Sequence, residues 1–380
     1  MFSGIYGRGG AAAAVSGQAW LQAMLDSEAA LARACAREGL IPSGAAEAIA
    51  AACVAERFDL EAIGRGAADH ATPVVPLVRA LRERVGSEFA EQVHLGATSQ
   101  DILDTAAMLV SSRALGVMLD DARAAARAAA RLAEEHRATV MSGRTLLQQA
   151  LPTSFGLRAA GWLVGIHEAI VHLEDVRQHQ LAVQMGGPVG VRSPPIAAGV
   201  AAELRLAEPV VPWDTIRVRV AILAGAVGTL SGVLAKLARD VTLLAQNEVG
   251  EVREGGGGDR GASTAMAHKR NQVAAVSVIA CARRVPGLVA TILSSMEQEH
   301  ERAAGAWQAE WGTLSDLLAL AGSTASWGRE LLEHLEVDVD RMRENLGRLA
   351  AAGVAEAADP DSHLGASSEL IDRALTAAGR

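Results

Sequence analysis

The chain has 380 residues, 50% of them hydrophobic and only 3% aromatic, and its 35 basic and 44 acidic side chains give a net charge of −9. That length can bury a large core, and the acidic balance excludes a surface built as a whole for nucleic acid, so an anionic ligand would need a local basic pocket. Alanine, leucine and arginine dominate, which favours helix over sheet. Cys35, Cys53 and Cys281 lie far apart and are odd in number, so they read as reduced core thiols of a cytoplasmic protein. The start, Arg8 followed by GGAAAAV, is too short and weakly apolar for a secretory signal.

Gln18 to Glu38 has the spacing of an amphipathic helix closed by Gly39, and Pro42 opens the next. Gly64 to Pro76 reads as a break. The run VHLGATSQDILDTA, from Val93 to Ala106, places Thr98 and Ser99 as helix caps and Asp101 in the first turn. A capped helix is one reading of it; the other is that Gly96 and two hydroxyls at a helix N-terminus suit a carboxylate. From Asp101 to about Arg137 no proline interrupts the helical spacing, so one long helix is expected, with Gly116 as its bending point.

A turn is expected at Met141 to Arg144, then a second long helix from Ser154 to Gln184 and a loop from Gly186 to Pro195. A third helix spans Ile216 to Val252, a fourth Asn271 to His300 with a kink at Pro286, and a fifth Ala309 to about His334. The most apolar run, Val220 to Ala235, is short for a membrane span; Gly225, Gly228 and Gly232 would let neighbouring helices approach it, as in a buried bundle. The third helix would be about 50 Å long, and helices this apolar need partners on several sides, which copies of the same chain would supply.

Between the third and fourth helices lies GGGGDRGASTAMAHKRNQVAA, from Gly255 to Ala275. Its glycines make a hinge, and Ser263, Thr264, His268, Lys269, Arg270 and Asn271 follow just before an apolar helix. This arrangement suits an anionic ligand and a loop that closes to exclude water. A solvated linker is the plainer alternative. Against it, Lys269 is one of only two lysines in an arginine-rich chain, and a compact ammonium is not interchangeable with guanidinium in an anion site.

The run from Ala262 to Gln272 resembles the signature loop GSSxMPxKxNP of the fumarase/aspartase superfamily, in its adenylosuccinate lyase and muconate cycloisomerase branches. Ser263, Met266, Lys269 and Asn271 match; Ala262, Ala267 and Gln272 depart from it. The Thr98 segment resembles the first signature region, GxTSxDxxDTA. GRTLLQQA, from Gly143 to Ala150, resembles the second, with Thr145 matching and Gln149 standing where many relatives carry a histidine. Glutamine cannot titrate, so that histidine's acid–base role does not carry over. QEHERAAGAWQAEW, from Gln298 to Trp311, resembles the cycloisomerase branch almost throughout, and Arg302 matches a substrate-binding arginine; one more surface arginine is the alternative.

The resemblance implies an all-α fold with a central bundle of five long helices per chain, divided as residues 1–97, 98–335 and a shortened 336–380. It implies a homotetrameric helical core with active sites shared between three chains. The substrate would be a small di- or tricarboxylate, with no nucleic acid, membrane, metal or organic cofactor involved. Ser263, Lys269 and Asn271 are the implied catalytic residues; His94, Thr98, Ser99, Thr145, Gln149, Met266 and Arg302 are the implied substrate contacts. The implied reaction adds or removes a group β to a carboxylate through an aci-carboxylate intermediate, as in lactone closure of a carboxymuconate. A diverged lyase releasing fumarate, or a cyclase closing another ring, is one alternative. A non-catalytic crystallin-like homologue is another, against which the retained Ser263, Lys269 and Asn271 argue.

Overall fold

The computed structural model describes residues 1–379 and is helical almost throughout. Two short turns, α1 (Ser3–Tyr6) and α2 (Gly10–Ala14), lead into α3 (Gly17–Arg37). Ser16 caps α3 by accepting from the Ala19 amide at 3.2 Å, and the helix buries a stripe from Leu21 to Cys35. Against it pack α4 (Ser43–Ala52) and α5 (Leu60–His70), with α6 (Val74–Val85) packed on α4 and α5. The expected break from Gly64 to Pro76 is therefore mostly helix. Asp59 caps α5 at the Ala62 amide, 2.9 Å away, and Gly66 lets Pro76 of α6 come close, so α5 stops only at Ala71, whose φ is 51°.

Five long helices follow as expected, and the chain is all-α in class. They are α7 (Ser99–Glu135), α8 (Phe155–Asp175), α10 (Val218–Leu244), α11 (Val273–Ser294) and α12 (Ala306–Glu333); the shorter α9 (Pro194–Leu204) lies between α8 and α10, where only loop was foreseen near Pro195. Beyond the bundle come α13 (Val339–Ala351) and α14 (Ser367–Ala377). α7 packs on α8 and α12, and α10 and α12 pack on α11, around one core that includes Met118, Phe155, Leu223, Val278 and Leu317. A second core joins α3 to α6 with the first turns of α7, Ile102 to Val110. Gly156 makes the α7–α8 corner tight: a Cβ there would sit 2.7 Å from the carbonyl oxygens of Ala133 and His136. All three cysteines are buried and free.

Two small sheets were not foreseen. β1 (Val140–Thr145) and β2 (Gln148–Ser154) form a hairpin, so the chain reverses at Leu146–Leu147 rather than at Met141–Arg144. β3 (Val252–Glu254) pairs with β4 (Leu335–Val337), which ends the third long helix at Leu244 instead of Val252. The reason is tertiary: Glu251, fully buried, takes Arg144 at 2.7 Å and Asn345 at 2.8 Å, and these partners hold the segment off the helix axis.

These pairings give the bundle two ends. At one end Arg217, just before α10, holds Asp104 of α7 and Glu310 of α12. At the other end lie the β1–β2 hairpin, the Arg144–Glu251 pair and the loop between α10 and α11. α10, which runs from Arg217 to that loop, has 27 residues, so the two ends are about 40 Å apart.

α7, α10 and α11 are long and apolar enough to cross a membrane by length and composition. Most of the α7 stretch is buried in the chain, whereas α10 and α11 leave more than half of theirs uncovered. Val218, Ile222, Gly225, Thr229 and Gly232 form one exposed stripe on α10, and of its three glycines only Gly228 meets a neighbour, Val289, within the chain.

Candidate active site

At the first end, Asp101 ties two segments together. Its carboxylate accepts the backbone amides of Thr98 at 3.1 Å, Gly186 at 3.0 Å and Gly187 at 2.8 Å. The segment before α7 and the loop after α8 thereby form one polar corner. Burial pushes the Asp101 carboxyl up to about 6, against the pull of those three amides and of Arg302. Ser99 is half-buried, and its hydroxyl makes no hydrogen bond among the described residues. Arg302 reaches the same corner but is already engaged, with Asp214 at 2.6 Å and with the Gly187 carbonyl. It is not simply one more surface arginine.

His94 sits in this corner with φ at 64°, a left-handed conformation that costs a non-glycine residue energy and that recurs at functional sites. Its Nδ1 faces Glu28 Oε1 at 2.6 Å. Burial works to lower the His94 pKa; the charge and hydrogen bond of Glu28, helped by Asp101, outweigh burial and the nearby Arg82, and raise it from 6.5. The stabilisation from this pair is fully present below pH 6.5 and is lost as the pH rises through the higher folded value. Glu28→Gln is therefore expected to move the basic limb of anionic-analogue binding to lower pH, measured by calorimetry across the pH range. An unmoved limb would mean that His94 is not the group being read.

Glu28 was not singled out from the sequence, although a signal existed. It lies on the apolar stripe of α3, between Leu25 and Leu31, and a charge in such a stripe needs a buried partner. Asp214 and Arg192, by contrast, lie in segments with no periodicity to flag them.

At the opposite end stand the other expected residues. Thr145 and Gln149 flank the hairpin tip, exposed, with Leu146 at φ 49° and Leu147 at φ 64° between them. Across the same end, Gly256, Gly257, Gly258 and Gly261 all have positive φ, and the polar loop is closed where the Asn271 amide donates to the Gly261 carbonyl at 2.8 Å. Asn271 Nδ2 donates to the same carbonyl at 3.1 Å, so this residue serves as a clamp. Ser263 Oγ accepts from the amides of Ala265 and Met266 at 3.3 and 3.2 Å, which favours negative charge on that oxygen. Lys269 and Met266 are exposed. The helix N-terminus expected to receive an anion is taken: Glu254 accepts the Ala274 and Ala275 amides of α11 at 2.9 and 2.8 Å. An incoming anion is left to the loop's own side chains.

The structure thus brings His94, Thr98, Ser99 and Arg302 together at one end of the chain. Ser263, Met266, Lys269 and Asn271 lie at the other, as do Thr145 and Gln149. A bundle of five long helices carrying these two polar ends is the architecture of the fumarase/aspartase superfamily of lyases. The chain belongs to that family: the Lyase family profile matches residues 11–287. It is 44% identical over 346 residues to a 3-carboxy-cis,cis-muconate cycloisomerase of Pseudomonas aeruginosa, a match covering 89% of this chain and 75% of the relative. It is 43% identical over 369 residues to a nitrosuccinate lyase of Streptomyces davaonensis, covering 92% of this chain and 78% of the relative. Among solved structures it superposes on the 3-carboxy-cis,cis-muconate lactonizing enzyme of Pseudomonas putida with a TM-score of 0.92 at 34% identity, covering 100% of this chain and 99% of that one. The protein is an enzyme of this superfamily.

Proposed function

We propose that the enzyme closes 3-carboxy-cis,cis-muconate to its carboxymuconolactone. The likeness to the Pseudomonas aeruginosa cycloisomerase over 89% of the chain carries this reading. One carboxylate of the substrate attacks the conjugated double bond; a C–O bond forms, and the π electrons move onto a second carboxylate as an aci-carboxylate. A proton from Ser263 then closes the α-carbon, leaving the serine oxygen as the anion that the Ala265 and Met266 amides face. The serine then recovers a proton from solvent, so the trianionic substrate takes up one proton overall and no other atom is gained or lost; because the attack is intramolecular, positioning contributes much of the rate. Thr98, Ser99 and His94 would hold one carboxylate. Lys269, with Asn271 keeping the loop in place, would stabilise the growing charge on another more than the ground state. Thr145, Gln149, Met266 and Arg302 complete the proposed contacts.

No single chain brings these groups within reach of one another, since the two ends lie about 40 Å apart. We therefore assign the site to a homotetramer whose chains pack antiparallel through α10 and α11, three of them contributing to each site. The uncovered apolar faces of α10 and α11 support this, as do Leu146 and Leu147 exposed on a turn with two left-handed residues. Sedimentation at micromolar concentration is expected to give a tetramer; a compact active monomer would contradict the shared site. The division at residues 97/98 and 335/336, and a cytoplasmic location that keeps the three thiols reduced, belong to the same proposal.

Loss of the muconate absorbance on adding the assembled enzyme tests the activity. A second reading, release of fumarate from a β-substituted succinate, is favoured by the nitrosuccinate lyase likeness and by Gln149. Fumarate appearing from a panel of succinyl adducts, with the muconate untouched, would replace the first reading by the second.

A further inference from the structure

We propose that Arg192 is a substrate-contacting, specificity-determining residue: its guanidinium receives a third carboxylate beside the Thr98–Ser99 corner and so selects tricarboxylates over dicarboxylates. The cations of this corner are not equivalent. Arg302 is neutralised by Asp214 at 2.6 Å, and His94 by Glu28 at 2.6 Å. Asp101 is satisfied by backbone amides. Arg192 forms no ion pair among the described residues. Its one side-chain hydrogen bond is from Nη2 to the sulfur of Cys35 at 3.2 Å, while Nε and Nη1 are buried with no partner. Buried guanidinium donors left unmatched are costly, and a carboxylate satisfies one of them together with the remaining N–H of Nη2 on the same edge.

The placement is built into the backbone. The Arg192 amide donates to the Gly186 carbonyl at 3.1 Å, on the loop that Asp101 holds against α7. The guanidinium lies against Gly96, two residues before Thr98; a Cβ at Gly96 would sit 2.9 Å from Nη1, and its φ of 66° also favours glycine. Gly96 thus makes room for a cation beside the hydroxyls of Thr98 and Ser99. With Thr98–Ser99 taking one carboxylate and Lys269 another, Arg192 takes the third.

The identity of the substrate rests on the cycloisomerase reading, so the test uses probes that need no turnover. Binding of propane-1,2,3-tricarboxylate and of succinate to the assembled protein is measured by calorimetry. The wild type is expected to prefer the tricarboxylate by about tenfold or more, the worth of a charge-assisted bidentate pair. Arg192→Met, which keeps the apolar stem, should abolish the preference while changing succinate affinity by less than about twofold. Arg192→Lys, which keeps the charge and loses the fork, should fall between them. No preference in the wild type, a preference retained in Arg192→Met, or equal weakening of both probes, as a purely structural role would give, overturns the proposal. A preference lost in Arg192→Met, in an enzyme that leaves the muconate untouched, would sink the cycloisomerase reading and leave this one standing. Unchanged kcat/KM for the muconate in Arg192→Met would do the reverse.

Discussion

Replacing Ser263 by alanine is expected to lower turnover by about 10²–10⁴-fold, the usual worth of a positioned proton-transfer group. Binding of an anionic analogue should change little, because the hydroxyl faces the Ala265 and Met266 amides of its own loop. Facing Ser263 Oγ at 3.3 and 3.2 Å, those amides favour an oxygen that can give up its proton and carry negative charge. The loop does not need Ser263 to hold its shape at the neck, since the Asn271 amide closes it on Gly261 at 2.8 Å. Ser263→Ala should therefore fold and assemble like the wild type, and the measurement is steady-state turnover beside calorimetric binding. Turnover near the wild-type value would remove Ser263 from the mechanism, and a loss of binding in step with turnover would recast it as a contact.

Replacing Arg217 by methionine should cost about 3–5 kcal/mol of stability, the penalty for stranding buried charges. Arg217 is almost wholly buried between two carboxylates. Nη1 donates to Asp104 at 2.7 Å and Nε to Glu310 at 3.0 Å, while the guanidinium lies 4.6 Å from the centre of the Trp213 ring. Trp307 and Gln100 donate to Asp104 at 2.9 and 3.0 Å, and Gln298 donates to Glu310 at 2.9 Å. Burial raises the Glu310 pKa, and Arg217 is what holds it down. Without the arginine the Glu310 carboxylate should take up a proton more readily, so the stability deficit should narrow as the pH falls. The readout is the urea midpoint of the assembled protein at two pH values. A deficit under about 1 kcal/mol would mean that water enters and solvates the two carboxylates, and that the network does not hold α7, α10 and α12 together.

The five long helices were legible in the sequence because a helix is decided by residues three and four apart. The apolar spacing from Asp101 to Arg137, unbroken by proline, is enough to specify α7. The Thr98 cap and the glycine-rich loop could be read for the same reason: caps and hinges are local. The hairpin at Thr145–Gln148 and the β3–β4 pair were not legible. Leu146 and Leu147 carry none of the glycine or asparagine that marks such a turn, and β3 meets β4 across some eighty residues of chain.

The sequence alone determined the class of protein and supplied most of the residues proposed here to carry its chemistry, since each signature region is a short run whose residues act through spacing. Only the tertiary structure decided how those residues are matched. Arg302 is matched by Asp214 and Arg192 by no carboxylate, although both are arginines in irregular segments of the same chain. Glu28 reaches His94 over 66 residues and Arg217 reaches Asp104 over 113, separations at which no pattern in the sequence says which charge meets which. The bundle also sets the two polar regions at opposite ends of helices about 30–55 Å long. Rigid helices of that length cannot fold back to join them, which is why the site proposed above draws on other copies of the chain.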